Sequence, residues 1–340
     1  MVLPLLLSLF MATDGESQLR ARVDLVVVPV SVRDNNGNLL TGLTATDFSV
    51  FEDGTKQTIS NFSIDVPPLS IAIVFDNGMS TRDLNRGVSA FPELLAGVTV
   101  QDEVALFRYD HAVWHLADFS SETREVAQRF TAIQEIAAGR PPDESIDPIE
   151  DTRPGWLRFL GGVFKSASNG PTGRSTGIPT VDQRPSAGRQ SRVLHSAIYE
   201  AAAALRGRSR ERRKVLIVIS DDRVDEQRPA HPYAQNKDLL LQNDIQVYAV
   251  AAPAALLEGP FRVLTQYTSP TGGDIYGGKS AADMQFAFSR VMEEAHKQYV
   301  LGYVSNQGTE RAVFRRLKVT SGESDQARIV THRQGYIQYP

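Results

Sequence analysis

Two unbroken apolar runs in this chain stop abruptly at carboxylates, and few folds accommodate that. Residues 69–75 (LSIAIVF) end on Asp76, and residues 215–220 (VLIVIS) end on Asp221 and Asp222. A strand that is apolar on both faces has to be covered on both, as in a parallel sheet layered between helices. Helical patterns lie between such runs, over residues 82–96, 122–135 and 194–205, the last with alanines at 201–204. Another at 237–242 precedes the strand-like residues 246–251 (QVYAVA), and a long one covers 281–298. Alternating strands and helices imply right-handed crossovers and an α/β domain with a doubly wound, mostly parallel sheet over residues 68–297.

The two ends of the chain follow a different grammar. Residues 23–32 (VDLVVVPVSV) with the turn residues 34–37 (DNNG) read as a hairpin. Residues 48–52 (FSVFE), Asp53-Gly54 and residues 57–62 (QTISNF) repeat strand, turn and strand, so residues 20–66 form a β segment closed by Pro67 and Pro68. Short β-like runs return at 299–304, 314–320 and 327–330, making residues 299–340 a second β segment. Neither has enough strands to stand alone, which predicts one β-sandwich-like domain, split in sequence, with the α/β domain inserted into it. Residues 139–190, rich in Pro, Gly and Ser, fit neither grammar and are expected to be a flexible insertion near the ligand edge.

Composition narrows the function. A net charge of −4 over 340 residues gives no basic field for nucleic acid. The absence of cysteine excludes disulfides, thiolate zinc sites, iron–sulfur clusters and a cysteine nucleophile. Residues 2–12 (VLPLLLSLFMA) form an apolar run about half as long as the ~20 residues that span a bilayer, and residues 1–19 read as a signal or leader segment. The expectation is an exported protein, periplasmic or extracellular. No later segment is long and apolar enough for an integral membrane span.

Ligands of open parallel sheets collect beyond the carboxyl ends of the strands, which makes Asp76 and Asp221 neighbours there. The turn of residues 76–80 (DNGMS) adds the hydroxyl of Ser80. Oxygen ligands of this kind suit a hard cation such as Mg²⁺ or Mn²⁺. Other constellations are weaker. His111 and His115 have a helical ligand spacing but fall in a hairpin, over residues 104–116. His195 and Ser196 are adjacent, so on a helix they point about 100° apart. Gly170 to Gly177 lacks the lysine and spacing of a phosphate-binding loop. Asn61-Phe62-Ser63 matches a glycosylation sequon, a tripeptide that recurs by chance.

Taken together, LSIAIVFDNGMS, the edge hairpin DEVALFRYDHAV, KVLIVISDD and the exit strand QYVLGY resemble the von Willebrand factor A domain. The likeness is to bacterial exported proteins in which that domain sits between β-rich flanks, and it covers about residues 20–338. It implies a partner-binding role rather than catalysis. Its metal-ion-dependent adhesion site combines an Asp-x-Ser-x-Ser loop, a threonine and a further aspartate, and a carboxylate of the protein ligand completes the metal. Asp76 and Ser80 match the first loop and Asp221 the last. Gly78 stands in place of a serine, and the threonine falls at about Arg192 unless Ser191 or Ser196 substitutes. The site is thus degenerate: either Mg²⁺ or Mn²⁺ balances the two acids, or Arg192 does. A metal-assisted hydrolase using Asp76 and Asp221 is the alternative reading, with Asp222 as the base it would need. A scaffold role in an envelope assembly is another binding alternative.

Overall fold

The computed structural model describes residues 25–138, 150–151, 193–224, 229–256, 261–322 and 328–340. The expected leader, almost all of the 139–190 insertion, and Ser191 and Arg192 lie outside them. In chain order the elements begin with β1 (Leu25–Arg33), β2 (Phe48–Glu52), β3 (Thr55–Gln57), β4 (Ile59–Ser63), β5 (Leu69–Asp76) and α1 (Thr81–Ala96). There follow β6 (Glu103–Tyr109), β7 (Ala112–Ser120), α2 (Thr123–Ala137), β8 (Glu150–Asp151), α3 (Leu194–Arg206), β9 (Arg213–Ser220) and α4 (Tyr233–Gln242). The chain closes with β10 (Ile245–Ala251), α5 (Val263–Thr271), β11 (Ile275–Gly277), α6 (Ala281–His296), β12 (Tyr299–Val304), β13 (Val313–Ser321), β14 (Ile329–His332) and β15 (Gly335–Gln338).

Every residue of β5 and of β10 is buried, as an apolar run covered on both faces requires. The sheet runs β11-β10-β9-β5-β6-β7-β8, parallel from β11 to β6 and antiparallel at the β7 and β8 edge. This is the α/β architecture read from the sequence. One face buries Ile71, Ile73, Phe75 and Ile217 with Phe91 of α1, Phe130 of α2 and Phe288 of α6. The other buries Val74, Phe107, Leu216 and Val218 with Ile198 of α3, Leu240 of α4 and Leu264 of α5. Connections leave β5 toward β6 and leave β9 toward β10, in opposite directions. The crevice of a doubly wound sheet therefore opens between the ends of β5 and β9.

Helix α5 escapes the sequence patterns because residues 263–271 (VLTQYTSPT) include the β-branched Val263, Thr265, Thr268 and Thr271 and contain Pro270. Tertiary contacts supply what propensity lacks. The Asp222 carboxylate accepts the N–H groups of Arg262, Val263 and Leu264 at 2.7, 3.1 and 2.9 Å, capping the helix from another loop. Pro270 has no N–H for the carbonyl of Gln266, and the Tyr233 hydroxyl donates to that carbonyl instead, at 3.0 Å.

The flanks correct two details of the sequence reading. Residues 23–32 do not fold back as a hairpin: β1 pairs with β12 and β14, and only an isolated bridge joins Arg33 to Leu39. The reason is side-chain burial, since Val26, Val28, Val30 and Val32 all need the shared core that strands from the other end of the chain complete. Residues 57–62 are not one strand either. β3 pairs with β2, and after Thr58 the chain changes sheet so that β4 pairs with β12. The resulting four-stranded sheets, β14-β1-β12-β4 and β15-β13-β2-β3, bury Leu301, Tyr303, Phe48, Val50, Leu317 and Val319 in one core. Polar contacts tie this core to the α/β domain. Arg33 pairs with Asp274 and lies 3.8 Å from the buried Glu294, Arg333 pairs with Asp244, and the Gln334 N–H donates to the Pro270 carbonyl at 3.0 Å.

Because β1 borrows both of its neighbours from the far end of the chain, removing residues 299–340 should strip its pairing and expose its valines. Limited proteolysis of the truncated protein is expected to cut within residues 25–63 while β5 to α6 stay protected. Equal protection of residues 25–63 with and without the C-terminal strands would show that the N-terminal strands fold independently.

Candidate functional site

Sheet register places the ends of the central strands in one row: Asp76 pairs with Tyr109 of β6, and Ser220 of β9 pairs with Ala251 of β10. Side chains alternate along a strand, so Asp76, Tyr109 and Ser220 point to the same face as Val74, Phe107 and Val218, beneath α3. There Asp76 Oδ2, the Tyr109 hydroxyl and Ser220 Oγ form a triangle. The Tyr109 hydroxyl lies 3.0 Å from Asp76 Oδ2 and 3.0 Å from Ser220 Oγ, and Ser220 Oγ donates to Asp76 Oδ2 at 2.9 Å. The Gly78 N–H donates to Asp76 Oδ1 at 2.8 Å. Asp76, Tyr109 and Ser220 have no solvent exposure. Burial, and then the Asp76 charge, push the Tyr109 phenol far above its ordinary range, so it remains a protonated donor.

Asp221, one residue past the triangle, is also buried, and its Oδ1 accepts the Arg223 N–H at 3.2 Å. Its charge adds to the upward push on the Tyr109 phenol. Ser80 is the N-cap of α1, accepting the Asp83 N–H at 3.2 Å and donating to Asp83 Oδ2 at 3.0 Å. Its hydroxyl thus serves the helix. Met79 between them is fully buried in the core beneath α1 and pins the loop. Asn77 is buried as well, and neither its amide nitrogen nor its oxygen has a hydrogen-bond partner among the described residues; the same is true of the Ser196 hydroxyl on the first turn of α3.

A hard divalent cation asks for about six oxygen ligands in near-ideal geometry. Among the described residues, the Asp76 and Ser80 oxygens at that edge already take part in hydrogen bonds. Asp76 Oδ2 receives hydroxyl hydrogens, Oδ1 receives a backbone N–H, Ser80 caps a helix and Gly78 carries no oxygen. Among the described residues no group of three or more His, Asp or Glu side chains is placed to hold a metal ion. Arg192, the alternative counter-charge, lies outside them.

The remaining candidates have structural occupations. Asp222 adopts a left-handed backbone (φ 61°) to direct its carboxylate at the three N–H groups of α5, leaving it poorly placed as a general base. His115 stacks on Phe107 with centroids 4.3 Å apart, and His111 pairs with Asp110 at 2.7 Å in the β6–β7 turn. His195 Nδ1 lies 2.5 Å from the Tyr267 hydroxyl, and burial lowers its pKa. Residues 170–177 lie outside the described residues, and no described helix is long and apolar enough to cross a membrane.

Tyr109 and Ser220 escaped the sequence reading, although a signal for both was present. In each of the runs ending Val74-Phe75-Asp76, Phe107-Arg108-Tyr109 and Val218-Ile219-Ser220, the residue two beyond a buried apolar side chain is a polar one, on the same face. Removing either hydroxyl leaves a buried carboxylate short of a donor. Tyr109→Phe and Ser220→Ala should each lower the unfolding free energy by roughly 1–3 kcal/mol in denaturant titration, and the double variant should lose less than the sum, because the groups share one acceptor. Losses under about 0.5 kcal/mol would mean that the triangle is not what stabilises Asp76.

No family profile matches the sequence, and no curated protein does. Solved structures do resemble it. Proximal thread matrix protein 1 from the mussel byssus is 13% identical with a TM-score of 0.41, over 70% of this chain and 49% of that one, so the match spans about half of the mussel protein. A further structure of that protein has a zinc-occupied metal-ion-dependent adhesion site motif. BatB from Bacteroides thetaiotaomicron is 12% identical with a TM-score of 0.39, over 67% of this chain and 98% of that one. Manganese-loaded TRAP protein from Plasmodium vivax is 9% identical with a TM-score of 0.39, over 85% and 98%. Likeness at this level carries no detail of a site, which rests on this chain's own geometry.

Proposed function

We propose that this chain, von Willebrand factor A-like in its α/β domain, is an exported binding protein that meets a protein partner at the carboxyl edge of its sheet, with a degenerate metal site. The observation that carries the reading is the closed triangle of Asp76, Tyr109 and Ser220: the residue that would anchor a metal is satisfied by hydroxyls of its own sheet. In intact sites of the resembled family an acidic side chain of the ligand completes the metal. Here that acidic partner group would face the negative charge of the buried Asp76 and Asp221 with no metal between them, so recognition falls to the rim, where Ser80 and His111 lie in the loops after β5 and β6.

A binding role is preferred to hydrolysis on the same geometry. A metal-assisted hydrolase needs a poised base, and Asp222 accepts three backbone N–H groups instead. The apolar run at residues 2–12 supports export.

Calorimetric and thermal-shift titration with Mg²⁺ and Mn²⁺ tests the reading. The expected result is no saturable heat and an unchanged melting temperature at millimolar metal. A ligand present at a hundred times its Kd would add about 2.7 kcal/mol of stability, well within detection. Saturable Mg²⁺ or Mn²⁺ binding that Asp221→Ala abolishes would contradict the metal-free edge, and metal-dependent turnover of ester or phosphate substrates, lost in the same variant, would favour the hydrolase.

A further inference from the structure

Far from the carboxyl edge, the α/β domain leaves and rejoins the β-sandwich-like flanks at a neck, and one histidine sits there in an unusual bonding situation. His296 is the last residue of α6, just before the chain passes into β12. Its Nδ1 lies 2.8 Å from the carbonyl oxygen of Met292, and its Nε2 lies 2.9 Å from Asp102 Oδ2. Both oxygens can only accept, provided Asp102 is ionised. Burial works against that ionisation but is outweighed by hydrogen bonds from His296, Leu69 and Thr99, which hold the Asp102 carboxyl well below the usual carboxylate range.

A neutral imidazole has one N–H and one lone pair, so it would set a lone pair against one of these oxygens. Only the doubly protonated ring satisfies both. His332 shows the contrast within the same protein. Its Nε2 accepts the Val319 N–H at 3.0 Å while its Nδ1 lies 2.7 Å from the Arg333 carbonyl, a pattern that requires the neutral ring.

Asp102 gives the contact its reach. Its Oδ1 accepts the N–H of Leu69 at 2.7 Å, and Leu69 opens β5 directly after Pro67-Pro68. The point where the chain enters the α/β domain and the point where it leaves are therefore joined through one carboxylate and one imidazole. We propose that His296 is a proton-operated latch at this neck: as an imidazolium it ties the end of α6 to Asp102 and thereby to the start of β5, and on losing its proton it gives up one of those ties.

The surrounding charges agree with a cation at this position. Arg213 of β9 donates to the Ala295 carbonyl at 2.6 Å and opposes the charge on His296, while Asp102 favours it. A cationic ring also complements the negative end of the α6 dipole. The other charged groups near the end of α6 are engaged elsewhere: Lys297 with Glu293, Glu93 of α1 with Ser289, and Glu294 with Tyr276 of β11 and Arg33 of β1. Burial lowers the His296 pKa, but the Asp102 and Met292 contacts outweigh it and the net direction is upward. A group whose folded pKa is raised contributes its full stability below the unfolded value, about 6.5, and loses it as pH rises through the folded value. The neck is therefore tighter at acidic pH and looser at alkaline pH.

Long-range ¹H–¹⁵N correlation of the histidine rings in the full-length protein reads the latch directly. At about pH 6 His296 should carry protons on both nitrogens while His332 carries one, and His296 should titrate with a midpoint above the ~6.5 of a free histidine. Across that midpoint, exchange of the Leu69 and Lys297 amides should accelerate beyond its intrinsic pH dependence, by up to about tenfold if the midpoint is one pH unit above the free value. His296→Gln, which can donate to Asp102 but carries no titrating proton, should abolish the inflection. A singly protonated His296 ring at pH 6, or amide exchange at Leu69 and Lys297 without an inflection in the unmodified protein, would overturn the latch. Both readings come from the unmodified chain, so they stand even if the variant fails to fold, and neither depends on the proposed binding edge.

Discussion

A carboxylate with no solvent exposure, standing at the end of the central strand, has to find its donors within the chain. Taking a carboxylate out of water costs several kcal/mol, which hydrogen bonds must offset for the native state to persist. For Asp76 the described donors are the Gly78 N–H and the hydroxyls of Tyr109 and Ser220, on a turn and on the strands to either side of β5. The site and the sheet are therefore one problem. A one-residue slip of β6 or β9 would turn its hydroxyl to the opposite face and leave Asp76 buried without it, so the register that packs the core is also the register that satisfies the acid.

The same coupling explains what could be read from the sequence. The runs at 69–75 and 215–220 are unambiguous because a strand buried on both faces tolerates no polar interruption, and the α/β class and its switch point follow from them. The carboxyl edge was legible for the same reason, since Asp76 and Asp221 mark where those runs stop. What the sequence reading did not resolve was which side chain faces Asp76. Asp221 drew attention as the acid, yet alternation turns Ser220 toward Asp76, and a serine beside an aspartate carries no signal until the register is known. Ser80 also caps the first turn of α1, a role that local backbone geometry decides and that spacing alone does not show. Helix α5 was hidden because its cap, Asp222, lies 40 residues away in sequence.

The flanks obey a longer-range version of this rule. The four core valines of β1 predict a buried face but not its partners, and those partners come from the last part of the chain. Both strands that border the α/β insertion in sequence, β4 and β12, pair with each other, so the ends of the insertion are held together by one sheet. Arg33, Gln298 and Arg333 then fasten that sheet to the α/β domain through side-chain bonds to Asp274, Tyr248 and Asp244. The two arginines are buried but Asp274 and Asp244 keep exposed carboxylates, so these contacts set the orientation of the two bodies more than they add to stability.

In the proposed reading, hydroxyls of the sheet meet the Asp76 carboxylate in place of a divalent cation. The most direct measurement is a crystal structure grown in millimolar Mn²⁺, with anomalous scattering used to locate the ion. The expected result is no anomalous peak within coordinating distance of Asp76 or Asp221, with the Tyr109 and Ser220 hydroxyls still within hydrogen-bond distance of Asp76. A manganese ion ligated by Asp76, with those two hydroxyls turned away from it, would contradict it.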